Sequence, residues 1–244
     1  MPYHYVWLEW ASGFLLPWLA LYLTDPRLRP VMRRVSIVTA VFGLTEPIFV
    51  PGYWNPPSLF DLAQRTRFDV ESIIFCFAIG GIGAVLYNAI TNRYFIPVRD
   101  EERRGSRHRF HLAALWAPYV VFVPLYFLPW NPIYPAILCL VIGGITSSLC
   151  RPDLTAKSLV GGVVFLLLYS VFMLGLVWLT PGYIPRVWNL PALSGVLIGG
   201  IPLEELLFGV SFGWYWTGVY EHFTWSTSVT SAGTPGRGFR HAHQ

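Results

Sequence analysis

The sequence predicts an all-α membrane protein of seven transmembrane helices, arranged as a 3+1+3 parallel internal repeat. Three observations lead there. The 244 residues are 54% hydrophobic and only 12% charged, about half the charged share of a soluble domain. Apolar runs of about 17 to 21 residues, long enough to cross a bilayer, alternate with short charged stretches. One half of the chain also matches the other at a nearly fixed offset. A water-soluble fold is excluded on composition, and the runs leave no length for a sizeable soluble domain.

Residues 3–23 form the first span. They have no basic leading region or small-residue cleavage site and contain Glu9 and Pro17, so they read as a retained helix rather than a removed signal. The second span, 35–50, is short and interrupted by Glu46 and Pro47; the proline kinks the helix and frees carbonyls beside an acid. Residues 70–90 make the third span, with Asp69 suited to cap its start. The fourth, fifth and sixth spans are 110–128, 133–149 and 159–179. The seventh, 202–220, opens with Pro202 and carries Glu204 and Glu205 in its first turn, a helix-start pattern that complements the dipole. The apolar stretch 193–201 before it either lengthens this span or folds back at the interface. Residues 226–244, rich in Ser, Thr, Gly and His, lack apolar periodicity and are expected to be a disordered tail.

Alternate loops then lie on alternate sides of the membrane. One side receives Arg27, Arg29, Arg33, Arg34, Arg93, Arg99, Arg103, Arg104, Arg107, Arg109, Arg151, Lys157, Arg237 and Arg240. The other receives only Arg65, Arg67 and Arg186. The asymmetry places the amino terminus outside and the carboxyl terminus in the cytoplasm. The net charge of +4 is thereby assigned to phospholipid headgroups, not to nucleic acid. Cys76, Cys139 and Cys150 sit in or beside apolar runs without a CxxC pair, so neither disulfides nor thiolate metal sites are expected.

The internal match is the most informative feature. Pro47, Pro51, Trp54, Asn55, Pro57 and Leu59 recur at an offset of 134 as Pro181, Pro185, Trp188, Asn189, Pro191 and Leu193. After a one-residue gap, Glu71, Phe75, Gly80 and Tyr87 correspond to Glu204, Phe208, Gly213 and Tyr220. The match pairs spans two and three with six and seven, and by extension one with five, leaving the fourth as a connector. A single connector lets both triplets run in the same direction, about a pseudo-two-fold axis along the membrane normal. The units are 1–92 (first triplet), 93–132 (cytoplasmic loop and connector), 133–225 (second triplet) and 226–244 (tail). Glu71 and Glu204 are expected to face each other or a shared cavity.

Acids inside a bilayer are costly, so each one in or beside a span is a functional candidate. Glu46, Glu71, Glu204 and Glu205 form the catalytic set; Glu9 and Glu221, at span ends, read as solvated. Two adjacent glutamates in apolar surroundings do not both ionise readily, which leaves one neutral carboxylic acid able to give a proton to a weak base. Glu46 has Thr180 as its counterpart, so it breaks the symmetry and suits an asymmetric task such as proton removal. Phe75, Phe208, Phe212, Trp214, Tyr87 and Tyr220 are the candidate substrate-binding aromatics, and aromatic faces stabilise a carbocation. The sequence has no DxxxD motif for a magnesium diphosphate. Its one HxxH, at His108 and His111, has no companion ligands, and no Gly-rich dinucleotide fingerprint is present. Lys157 is the only lysine, which excludes a retinal Schiff base in span seven. No cofactor and no metal are expected.

Residues 46–57, 69–87 and 202–208 carry a resemblance to a known family, the non-flavin lycopene cyclases of bacteria, archaea and fungi. There the two repeats occur as separate subunits of a heterodimer or fused in one chain, and this chain resembles the fused form over nearly its whole length apart from the tail. The family's acidic motif matches Pro202, Glu204 and Glu205; in the first half Asp69 replaces the proline and Ser72 the second acid, so only Glu71 carries over. The resemblance implies cyclisation of the acyclic ends of lycopene to β-ionone rings without redox change. A carboxylic acid protonates the terminal double bond, the neighbouring alkene attacks the cation, and a base removes a proton. The roles assigned are Glu204 or Glu205 as acid and Glu71 or Glu46 as the base or as the charge that polarises the acid. The implied partners are a lipophilic polyene, the bilayer and other carotenoid-biosynthesis enzymes. Two alternatives stand beside it: a small proton-coupled transporter, which shares the 3+1+3 plan, and a carotenoid-binding relative without catalysis.

Overall fold

In the computed structural model, which describes residues 3–230, the apolar runs become a bundle of helices. The first run breaks into α1 (Val6–Gly13) and α2 (Leu15–Thr24). The second begins as α3 (Arg29–Ala40) and tightens into a 3-10 turn over Val41–Ile48. Pro47 lies in that turn, where its missing N–H and ring oppose an α-helical ladder. Gly43 lets the turn lie against the chain of the next long helix: a Cβ there would stand 2.6 Å from the backbone of Ile73. After the short α4 (Leu62–Thr66) comes α5 (Val70–Ile90), whose start is capped by Asp69 accepting the Ser72 N–H.

The chain continues through β1 (Arg93–Pro97) and α6 (Asp100–Arg103) to the long helices α7 (His111–Tyr126), α8 (Ile133–Cys150) and α9 (Thr155–Leu179). The short α10 (Tyr183–Val187) leads to the pair β2 (Leu197–Ile198) and β3 (Ile201–Pro202), then to α11 (Leu203–Thr224) and β4 (Ser226–Thr230). Four stretches, Val6–Thr24, Val70–Ile90, Ile133–Cys150 and Pro152–Leu179, are long and apolar enough to cross a membrane. The other three expected spans are helical too. The second changes to 3-10 winding, α7 has only 16 residues, and α11 is made more polar by Glu204, Glu205 and Glu221.

Helix α11 is the hub, packed against α9, α8 and α5, while α3 lies along α5. The α9–α11 contact depends on glycine, since a Cβ on Gly213 would stand 2.6 Å from the Phe165 Cβ and 3.0 Å from the Gly162 Cα. Small residues of this kind let two helix backbones approach in an apolar medium.

The two segments that match in sequence meet in space. Trp54 and Trp188 form an antiparallel bridge; the Asn55 N–H donates to the Val187 carbonyl at 2.8 Å and the Asn189 N–H to the Tyr53 carbonyl at 2.9 Å. Asn55 and Asn189, like Tyr53 and Val187, are 134 apart, so the two hydrogen bonds exchange under the offset seen in the sequence.

One terminal expectation needs revision. Ser226–Thr230, expected to begin a disordered tail, is a strand paired antiparallel with Arg93–Pro97; its Ser, Thr and Val side chains suit a half-buried strand, a state that apolar helix periodicity does not register. The remainder of that tail, 231–244, lies outside the described residues. The 193–201 stretch folds back, with Gly199 and Gly200 at φ +61° and +87° making the turn between β2 and β3.

Candidate active site

The long helices enclose a cavity of about 380 Å³, within the range of small-molecule sites. Residues from α1, the 3-10 turn, α5, α7, α8, α9 and α11 line it, and its walls are mainly aromatic and aliphatic. Glu46 and Glu205 are the only acidic side chains among the lining residues.

Glu205 sits in the first turn of α11 and is 5% exposed. One of its oxygens, Oε1, accepts from the Trp188 indole at 2.8 Å and from the Tyr53 hydroxyl; Oε2 accepts from the Tyr169 hydroxyl. Glu46, in the 3-10 turn, is also buried and accepts from the Trp54 indole at 2.6 Å. Its cavity neighbour Ser72 stands at the position matching Glu205 in the repeat. Each half thus contributes one carboxyl to the cavity, by different routes, and each carboxyl is held by one member of the Trp54–Trp188 pair. The two indole rings lie 5.3 Å apart.

The other two expected acids are elsewhere. Glu71 is fully buried and accepts the Leu59 N–H at 2.7 Å. Glu204, 1% exposed, accepts the Ser194 N–H at 2.8 Å and the Tyr134 hydroxyl at 2.8 Å. Neither is among the cavity-lining residues. Each holds a preceding loop onto the start of its own helix, α5 or α11. Each keeps a second carboxyl oxygen that has no hydrogen-bond partner among the described residues.

Of the expected aromatic set, Phe75, Phe208 and Phe212 line the cavity. Trp214 instead faces α8 across Gly144, Tyr87 lies beneath the Lys157 ammonium at 5.7 Å, and Tyr220 packs edge-on against Phe95 at 5.2 Å. Glu221, expected to be solvated, is fully buried and paired with Lys157, because α11 continues past the expected span end into the bundle. Tyr53, Tyr169 and Trp188, the partners of Glu205, lie outside the candidate set drawn from the sequence. Trp188 had a signal, its place in the repeat, whereas the two tyrosines had none, because their approach depends on how the loops pack.

Residues 131–223 match the protein-family model described as lycopene cyclase. That stretch is similar to the lycopene cyclases that the family model describes. No curated protein and no solved structure matches the chain. The matched segment runs from just before α8 nearly to the end of α11, so it contains Glu204, Glu205, Tyr134, Tyr169 and Trp188; Glu46, Tyr53 and Trp54 come from the part of the chain before it. Carotenoid cyclisation is the activity that this family match supports.

Proposed function

We propose that the chain is a lycopene cyclase of the fused, non-flavin kind, forming β-ionone rings on a carotenoid that enters from the bilayer. One observation carries the reading. Two buried carboxyls, one from each half of the chain, face a single aromatic-walled apolar cavity with no lysine or arginine among its lining residues. A hydrocarbon polyene requires such a site; a charged solute needs a clamp of opposite charge.

The number of donors separates the roles. Glu205 accepts three hydrogen bonds at a helix start and is assigned the base role. Glu46, which accepts from the Trp54 indole, is assigned the acid role. In this scheme the Glu46 carboxylic acid adds its proton to the terminal double bond, and the resulting tertiary cation is attacked by the neighbouring alkene, closing the six-membered ring. Glu205 then takes a ring proton to restore a double bond. The proton returns to Glu46 before the next turnover, so the product is an isomer of the substrate. Phe75, Phe208, Phe212 and Trp216 offer π faces to the cation. This exchanges the acid and base roles anticipated from the sequence and, of the alternatives given there, takes Glu205 over Glu204 and Glu46 over Glu71.

The membrane topology belongs to the same proposal: seven spans as 3+1+3, amino terminus outside, carboxyl terminus in the cytoplasm. The basic-residue asymmetry and the reciprocal Asn55 and Asn189 hydrogen bonds support it.

The test is expression in a bacterium engineered to accumulate lycopene, followed by pigment chromatography. Conversion to γ- or β-carotene is expected. Unchanged lycopene in membranes that contain the folded protein overturns the assignment.

A further inference from the structure

Far from the cavity acids, three side chains that the cyclisation scheme does not use converge. His108 lies in the 3-10 turn Ser106–Phe110, His111 is the first residue of α7, and Cys150 is the last of α8. Their nitrogen and sulfur atoms all lie within 4.8 Å of one another. The Cys150 Sγ is 3.4 Å from His111 Nδ1 and 3.7 Å from His108 Nδ1. Cys150 and His111 are buried, and His108 is half-buried.

As hydrogen bonds, the two contacts would need the S–H donating to one imidazole and the N–H of the other donating to the sulfur. A metal held by all three side chains accounts for both contacts through one set of distances. With Zn–S near 2.3 Å and Zn–N near 2.05 Å in a tetrahedron, sulfur and nitrogen ligands stand about 3.6 Å apart, between the two observed separations. The rings are also held in place: Trp225 stacks on His111 with centroids 4.0 Å apart and meets His108 edge-on at 4.9 Å. The nearest buried cation, Arg151, is engaged by Asp153 through two hydrogen bonds of 2.8 and 2.7 Å.

We infer that His108, His111 and Cys150 form a zinc-type metal site, with water as the fourth ligand. Two imidazoles and one thiolate are the donor set that zinc favours over magnesium or calcium. On binding, the Cys150 thiol releases its proton to solvent as the sulfur–metal bond forms, both imidazoles give a nitrogen lone pair, and the metal stays divalent. The site is remote from the proposed chemistry. His222, whose ring lies 4.7 Å from His111, is seventeen residues along α11 from Glu205, about 25 Å at the helical rise. The site therefore takes no part in the cyclisation scheme, and its ligands join the start of α7 to the end of α8.

The test uses the full-length protein in detergent, stripped with a chelator and titrated with Co²⁺. The expected result is about one equivalent bound per chain, with visible absorption of a tetrahedral site and a near-ultraviolet thiolate-to-cobalt band, both removed by Zn²⁺. In Cys150→Ser the thiolate band disappears. His111→Gln weakens cobalt binding by more than about tenfold, the smallest loss typical even for a partner outside the ligand set. Absence of the thiolate band in the wild-type protein at saturating Co²⁺ overturns the inference, as does its survival in Cys150→Ser. The wild-type spectrum needs no variant to fold, and none of these readouts depends on cyclase activity.

Discussion

Glu204 and Glu205 are neighbours in sequence but have separate surroundings. Successive residues on an α-helix are rotated by about 100°, which sends Glu205 toward the cavity and Glu204 toward the Ser194 N–H and the Tyr134 hydroxyl. Substitution by Gln keeps shape and removes charge, so it separates the two. Glu205→Gln and Glu46→Gln are expected to lower ring formation by about 10² to 10⁴, the usual contribution of a general acid or base, with the protein still folded in the membrane. Glu204→Gln is expected to keep measurable conversion and to lose about 1–3 kcal/mol of stability, because it weakens charge-assisted hydrogen bonds in a buried place. Pigment chromatography and a thermal melt in detergent give the two readings. An inactive Glu204→Gln beside an active Glu205→Gln would remove Glu205 from the proposed chemistry.

At the level of elements, the α9–α11 pair combines close packing with a buried charge. Gly161, Gly162 and Gly213 bring the backbones together, and further along Lys157 of α9 pairs with Glu221 of α11, at 6% and 0% side-chain exposure. A buried ion pair contributes little net stability relative to a well-packed apolar pair, but removing one partner strands the other charge. Lys157→Met is therefore expected to destabilise the protein by about 3–5 kcal/mol. The double variant Lys157→Met with Glu221→Leu should recover most of that loss. The comparison is a double-mutant cycle read by thermal unfolding in detergent. Equal destabilisation by the single and double variants would show that Lys157 acts through something other than its pairing with Glu221.

Across the whole molecule, what could be read in advance follows from the range of the interactions. Apolar run length marked the helices well, down to the Val70–Ile90 bounds and the Asp69 cap, because both depend on nearby residues. The cavity pair was harder to see, since Glu46 matches Thr180 in the repeat and only packing brings it to the wall shared with Glu205. His108 and His111 lacked a third ligand in sequence because Cys150 lies 39 positions beyond His111. The loops tell a similar story, with contacts that sort them into two groups. Gly52 is joined to Asn131 and Asn189, while Arg27 is joined to Asn92, Arg93–Pro97 to Ser226–Thr230, and Arg151 to Ser226. The first group contains the loops expected outside and the second those expected in the cytoplasm, and no contact in this set crosses between them. Single cysteines can test the division: Arg65→Cys and Arg104→Cys, treated in intact cells with a membrane-impermeant maleimide. Arg65→Cys should label directly and Arg104→Cys only after permeabilisation, with the unsubstituted protein as the control for Cys76, Cys139 and Cys150. The reverse pattern inverts the orientation. Labelling of both from one side breaks the odd number of spans and, with it, the parallel relation of the two triplets.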